Sequence, residues 1–485
     1  MIETRGIKRL RIRTALALMA CACSFPIAAQ QLVLDPAIVN PAPATLPTLT
    51  PAQATVLAKL IAADSIAQGL QEGAAPVAMN LDGDTLVRAA LDHARAVHAG
   101  RLIESDFQLE WGIRPQPYDP LPGFADAVAR DRLAEWVASL PPPYAGYDTL
   151  VTGLARYRSI AAAGGWAALA KADVKPDSKG AAVAALRRRI ALEDSALVAT
   201  GDRYDANLVA AVRRAQQRYG LNPTGAVGAQ TIAALNVPVE ARILQIMANM
   251  ERWRWLPTDL PKNRIQVNIA AAVLTVFEGD TPVMSMKVVT GKPGAETPML
   301  VSQIHSIVLN PPWNVPASIA NRELWPKEKA KPGYLKRNGF RVIEDGNGGK
   351  RLQQSSELSA LGKYKFDFDN RFAVYLHDTP AQAGFARFDR LSSHGCVRLE
   401  RPDDLAKLLL KTTAEWSPTQ IDSTIAGGKT VRATLADREA VYLLYWTAFA
   451  SPNGMVSFRS DPYGWDKTLA AKIVTRQTRQ VPASI

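Results

Sequence analysis

The spacing of apolar residues changes once along this chain, near residue 264, and that change limits the folds open to it. Upstream, "TLVRAALDHARAVHAGRL" puts Leu86, Ala89, Ala90, Ala94 and Val97 on one helical face, with Gly100 as a stop. Downstream, "NRIQVNIAAAVLTVFEGDTPVMSMKVVTG" alternates Ile265, Val267 and Ile269, then Leu274 and Val276, with "EGD" as a hairpin turn. A helical part followed by a mainly β part is expected to fold as a multi-domain α+β protein. The length of 485 residues and an apolar fraction of 47% are enough for several packed cores.

The first residues read "MIETRGIKRLRIRTALALMACACSFPIAAQQ". Lys8, Arg9, Arg11 and Arg13 precede an apolar run from Ala15 to Ala29, which is the layout of a secretory signal and too short for a comfortable membrane span. The expectation is an exported protein, touching a membrane only through this segment. The segment is either cleaved near Ala29, retained as an anchor, or lipidated at "LMAC", where Met19 fits the lipoprotein pattern poorly. Net charge is +12, and about +8 without residues 1–29. The basic residues are scattered with no nucleic-acid-binding signature, so no nucleic-acid partner is expected, and an anionic cell-envelope polymer is the better neighbour.

Organisation follows from composition and period. Residues 1–29 are the signal or anchor, and 30–78, containing "DPAIVNPAPATLPTLTPAQA", read as a Pro/Ala-rich linker. Residues 79–175 form a helical scaffold, with one helix expected in "FADAVARDRLAEWVASL" and another in "YAGYDTLVTGLARYRSIAAAGG". His93 and His98 read as exposed helix residues. Residues 176–240 are a small helical unit in which Leu208, Val212, Ala215 and Tyr219 recur at helical spacing before Gly220, and a further helix starts near Thr231. Residues 241–262 connect it to the β-rich region, 263–435, and 436–485 are a C-terminal extension. In the β region "NRFAVYLHDTP" gives a strand through Ala373, Val374, Tyr375 and Leu376 that ends at His377. His305 sits in a strand pattern and reads as structural.

The chemistry concentrates in "RLSSHGCVRLE". Cys396 is one of three cysteines, and the other two, Cys21 and Cys23, lie in the signal. As a lone thiol it could be a small core residue, a metal ligand or a nucleophile, and a disulfide has no partner once the signal is removed. Zinc held by His377, His394 and Cys396 lacks a second cysteine or an HExxH pattern, so no metal is expected. As a nucleophile, Cys396 needs a base to take its proton, and His377 at a strand end is the candidate. Gly395 allows close backbone approach, and N–H groups around Gly395 and Cys396 are suited to an oxyanion hole.

His377, a gap of 15 residues, then Ser393-His394-Gly395-Cys396-Val397-Arg398 resembles the signature of the YkuD-type L,D-transpeptidases. "NMERWRWLP", "NPPWNVP", "LGKYKFDFDN" and "TAFASPNGMVSFRSDPYGWD" resemble its large, multi-domain Gram-negative branch (YcbB-like). Gln216, Gly220, Leu221, Gly225, Gly228, Thr231, Leu235 and Asn236 resemble the three-helix peptidoglycan-binding domain of cell-wall enzymes, with Ala215 and Thr224 departing from its usual Phe and Asp.

The resemblance implies that Cys396 attacks a tetrapeptide stem of peptidoglycan, expelling D-alanine, with His377 as base. The thioester then passes to an amine of a second stem, giving a 3→3 cross-link. It implies that Ser393, His394 and Gly395 shape the oxyanion site, and that Tyr375 and Arg398 line the pocket. It places Trp313, Asn314 and Tyr334 in a capping insert, about 311–360, over a mainly-β catalytic domain, and makes Trp313 and Asn314 substrate-binding residues together with Tyr375 and Arg398. No cofactor is implied. The partners implied are donor and acceptor stems, and peptidoglycan synthases or carboxypeptidases; carbapenems are implied inhibitors. Other acceptors (water, a free D-amino acid, a lipoprotein lysine) and a wall-binding structural protein are the alternatives.

Overall fold

The computed structural model describes residues 45–70, 83–170, 174–344, 349–451 and 453–479. The signal or anchor expected at 1–29 lies outside the described residues. The first described helix, Pro51–Ala67, corrects the reading of 30–78 as linker. Thr50 and Gln53 form a capping box, Pro51 sits at the first turn, and Leu57 and Ile61 are buried. Pro before an Ala-rich run is therefore a helix start here, because Pro costs nothing at N1 and Ala is the best helix former.

The helices Gly83–Ala99 and Ala145–Ala162 follow the expected periodicity. The single helix expected in "FADAVARDRLAEWVASL" is two, Leu121–Ala129 and Leu133–Ala138, split where Asp131 takes φ 55°. Three helices, Ala181–Ala191, Ala206–Arg218 and Ala229–Leu235, make the small unit, and Val239–Trp253 leads out of it. Within that unit Gln216 is buried and spent internally: it accepts from the Gly225 N–H and donates to the Ala226 carbonyl and to Thr231. The motif residues Gln216, Gly225 and Thr231 thus knit the loop together.

His93 and His98 are not exposed. His93 is 6% exposed, its ring between Ser65 and Asp64, and half-buried His98 stacks on Tyr118 at 3.8 Å. Half-exposed His305, on a strand, sits 3.7 Å from Asp369.

Fourteen strands follow in the described residues. They are β1 (Arg264–Asn268), β2 (Val273–Glu278), β3 (Thr281–Gly291), β4 (Leu300–Leu309), β5 (Trp313–Asn314), β6 (Phe340–Glu344) and β7 (Lys350–Gln354), then β8 (Tyr364–Phe368), β9 (Leu376–His377), β10 (Leu391–Ser393), β11 (Val397–Leu399), β12 (Val431–Leu444), β13 (Ala448–Ala450) and β14 (Val456–Phe458). Gly279 and Asp280, both at positive φ, turn β2 into β3 in the hairpin that "EGD" predicts. The main sheet runs β10-β3-β11-β9-β8-β4-β12-β1-β2, and β2 also pairs with β3. That last pairing closes the sheet into a barrel, which removes the open edges a flat sheet would expose.

Two expectations are corrected here. β12 pairs in parallel with β1 and antiparallel with β4 through Leu444, so the barrel does not end at residue 435. β9 is only two residues long, because Ala373 takes φ 53° and breaks the strand expected from Ala373.

Residues 311–360 hold short helices and a separate three-stranded sheet, β5-β7-β6, packed around Val315, Leu324, Leu335 and Leu352. A different, contiguous core runs from the helices through the barrel to the C-terminal helix Trp465–Arg479.

Candidate active site

The barrel sets the site through strand register. β9 and β11 are parallel neighbours with His377 opposite Arg398, and the Val397 N–H donates to the Tyr375 carbonyl at 3.1 Å. Alternate residues share a face of a sheet. Tyr375 and His377 on one strand therefore lie on the same side as Cys396 and Arg398 on the next. On the other flank β8 is antiparallel to β9, with Lys365 opposite His377. Lys365, His377 and Arg398 form one row across three strands, with Tyr375 and Cys396 in the row beside it.

Burial and the neighbouring cations act together on the imidazole of this cluster and against each other on its thiol. His377 is 5% exposed, and burial, then the Arg398 charge, push its imidazole down to about 3. The carbonyls of Asp378 (at Nδ1) and Leu361 border the ring and work the other way, since a carbonyl can only accept. Burial raises the Cys396 thiol, while a hydrogen bond with Tyr375 and the charges of Lys365 and Arg398 pull it down. Both shifts favour the uncharged forms, a neutral imidazole and a protonated thiol. Lys365 escaped the sequence reading; its signal was the alternation in "KYKFDF", which puts Lys365 on the face opposite Phe366.

The turn that carries Cys396 is held by Thr297 and Ser393. Gly395 takes φ 108°, and an added Cβ there would come within 3.3 Å of the Glu296 carbonyl. Thr297 ties the turn to the barrel: its Oγ1 donates to the Gly395 carbonyl at 2.8 Å and accepts from the Gly291 N–H at 2.8 Å. Ser393 is buried, and its Oγ donates to the Cys396 carbonyl at 2.6 Å while accepting from the Gly395 N–H at 3.2 Å. That N–H is therefore already engaged in the turn. His394 faces the other way, and its Nε2 lies 2.6 Å from Glu323 in the 311–360 insert.

Residues 262–421 match the family model of the YkuD L,D-transpeptidase catalytic domain, and residues 179–235 match a "Putative peptidoglycan binding domain". A Haemophilus influenzae protein described as "Putative L,D-transpeptidase" is 34% identical over 261 residues, 50% of this chain and 53% of that protein. Residues 262–421 are a YkuD-type L,D-transpeptidase catalytic domain. This chain spans about half the length of that relative. Two solved L,D-transpeptidase structures superpose weakly. The one from Mycobacterium smegmatis is 16% identical over 38% of this chain and 58% of that one, with TM-score 0.22. The one from Xylanimonas cellulosilytica is 16% identical over 57% and 98%, with TM-score 0.19.

In the transpeptidase domain the structure brings Tyr375, His377, Cys396 and Arg398 together on one face, with Ser393 and Gly395 beneath the thiol. Trp313 reaches this group, in hydrogen-bond contact with Tyr375, and packs on Phe340. Asn314 is exposed and engaged within the insert, accepting from Gln353 at 2.8 Å. Tyr334 packs in the insert's own core.

Proposed function

We propose that this chain is an exported L,D-transpeptidase that makes 3→3 cross-links in peptidoglycan through a Cys396 thioester. The observation that carries the reading is the β9–β11 register, which puts an imidazole and a thiol on one face of adjacent strands. In this reading the Cys396 proton passes to His377, whose bordering carbonyls stabilise the charged ring. The sulfur then attacks the carbonyl of the third stem residue, and His377 returns the proton to the departing D-alanine amine. The amine of a second stem attacks the thioester, loses its proton to His377, and Cys396 is regenerated. Arg398 and Lys365 supply positive charge for an anionic stem. Trp313 and Tyr375 bound the cleft beneath the insert. No metal enters these steps, because thiol acyl transfer is complete in its own atoms.

Export through the N-terminal segment, to a periplasm where the stems are, belongs to the same proposal. So do synthases or carboxypeptidases as working partners. Carbapenem complexes are described for related transpeptidases, imipenem with a mycobacterial one and ertapenem with that of Enterococcus faecium. The same thioester chemistry is proposed here. Intact-protein mass after carbapenem treatment is the test. The expected result is one covalent adduct on the wild type and none on Cys396→Ala; an adduct that survives the substitution overturns the reading. Incubation with purified sacculi should then yield dimers joined 3→3.

A further inference from the structure

A cavity of about 620 Å³ lies away from the thiol, and neither Cys396 nor His377 lines it. Its walls come from three parts of the chain: the small three-helix unit, the barrel, and the C-terminal extension. That volume is in the range of small-ligand sites.

The charged groups lining it are mostly cationic. Arg242 is 5% exposed, with its guanidinium 4.7 Å from the Tyr219 and Phe458 rings. It donates to Gln245 and to the Ala234 carbonyl, and its buried Nε–H has no acceptor. Arg459 comes so close to Gly220 that a Cβ there would fall 2.5 Å from it, and of its guanidinium nitrogens only Nη1 is hydrogen-bonded, to the carbonyls of Phe458 and Arg218. Burial and the Arg390 charge push Arg459 down to about 10. Arg390 is held by backbone carbonyls, among them Ala271 and Ala272. Among the described residues none of the three forms an ion pair, and Asp389 is the one carboxylate in the lining. Guanidinium groups withdrawn from water and left unpaired are costly, and a planar carboxylate is their best-matched partner.

Most of the remaining wall is apolar, and part of it, Ala233, Ala234, Val237 and Ala271, is small. That part accommodates methyl side chains. We propose that this cavity is a second, non-catalytic subsite that takes the carboxylate end of an alanine-rich stem peptide of the wall polymer. The identity of the occupant rests on the proposed function; the anion chemistry does not. The site adjoins the nucleophile turn: Phe388, Asp389, Arg390 and Leu391 line it, and Leu391 opens the strand that ends at Ser393. An occupant would bridge residues 179–235 to the segment that carries Cys396.

The experiment uses the full chain with Cys396 capped by iodoacetamide. Three titrants are compared by calorimetry: a stem tetrapeptide ending in D-alanine, its C-terminally amidated form, and inorganic phosphate. Arg459→Ala removes backbone contacts and risks the fold, so the main variant is Gln230→Glu, which puts a competing carboxylate on an exposed residue of the lining. The expected result is saturable binding of the free acid, weakened at least about tenfold by amidation and by Gln230→Glu, with phosphate much weaker. Equal binding of acid and amide, no change in Gln230→Glu, or phosphate binding as tightly as the peptide would overturn it. Carbapenem adduct formation on uncapped Gln230→Glu should match the wild type, so failure of the subsite and failure of the catalytic reading are read separately.

Discussion

At Cys396 and His377 burial is the largest influence on two ionisable groups, and it favours the neutral form of each. For the thiol the sign is upward, because burial disfavours the thiolate more than Tyr375, Lys365 and Arg398 favour it. For the imidazole it is downward, to about 3, because burial and Arg398 disfavour the cation. Both directions disfavour a thiolate–imidazolium pair in the free site. Alkylation of Cys396 by iodoacetamide should therefore climb steadily from about pH 7 to about pH 9, with no inflection near the ordinary imidazole value of about 6.5. A labelling rate that levels off below about pH 7 would show a preformed ion pair and contradict this. The residues of this site were legible to different degrees. Cys396 and His377 stand out because a thiol, an imidazole and a flexible glycine sit in one short pattern. Glu323 did not, because its partner His394 lies 71 positions away and only the folded insert joins them.

Gly291 and Gly395 hold the segment around Cys396 in place, and each sits at a close backbone approach. β3 ends at Gly291, where an added Cβ would lie 2.2 Å from the Ala295 carbonyl and 2.6 Å from the Thr297 nitrogen. Both obstacles are backbone, so relief requires the loop to move, and Thr297 is the residue that holds the Gly395 carbonyl. Gly291→Ala is therefore expected to cost about 1–3 kcal/mol in stability and to slow carbapenem acylation of Cys396 as well. Gly228→Ala, with nothing within 4 Å of its Cβ, is the control expected to leave acylation unchanged, with only the small stability cost of Ala at a helix N-cap. Thermal midpoints and adduct formation rates check both. Element existence was readable wherever an alternating or helical period ran long enough, as in β1 to β3. It failed where tertiary contacts decide: β9 is two residues long, the 130–132 break interrupts an unbroken helical pattern, and β12 completes the barrel through long-range pairing to β1 and β4.

On the scale of the molecule the sequence divides more cleanly than the structure. The match at 179–235 has the outline of a separable unit, yet Leu208, Val212 and Leu235 belong to the same contiguous core as Ile265 in the barrel and Leu469 in the C-terminal helix. Helix Val239–Trp253 runs through this junction, and its buried Glu251 joins segments far apart in sequence. Glu251 is 0% exposed; it accepts from the Arg101 backbone N–H at 2.6 Å and from Arg254 Nη1 at 3.0 Å. Burial alone would raise its carboxyl, but Arg101 and Arg254 outweigh that and hold it below the usual carboxylate range. Its contribution to stability is therefore complete above the unfolded value, about 4.3, and fades as pH falls below that. Glu251→Ala would leave two guanidinium groups buried with no counter-charge: Arg254 at the end of the same helix, and Arg101 just after the helix Gly83–Ala99. The expected loss is about 3–5 kcal/mol, the cost of removing one partner from a buried pair. It should appear as a large drop in thermal midpoint at neutral pH, and the gap to wild type should narrow in acid. A variant that melts with the wild type at neutral pH would mean that this triad does not hold helix Val239–Trp253 to the helices before it.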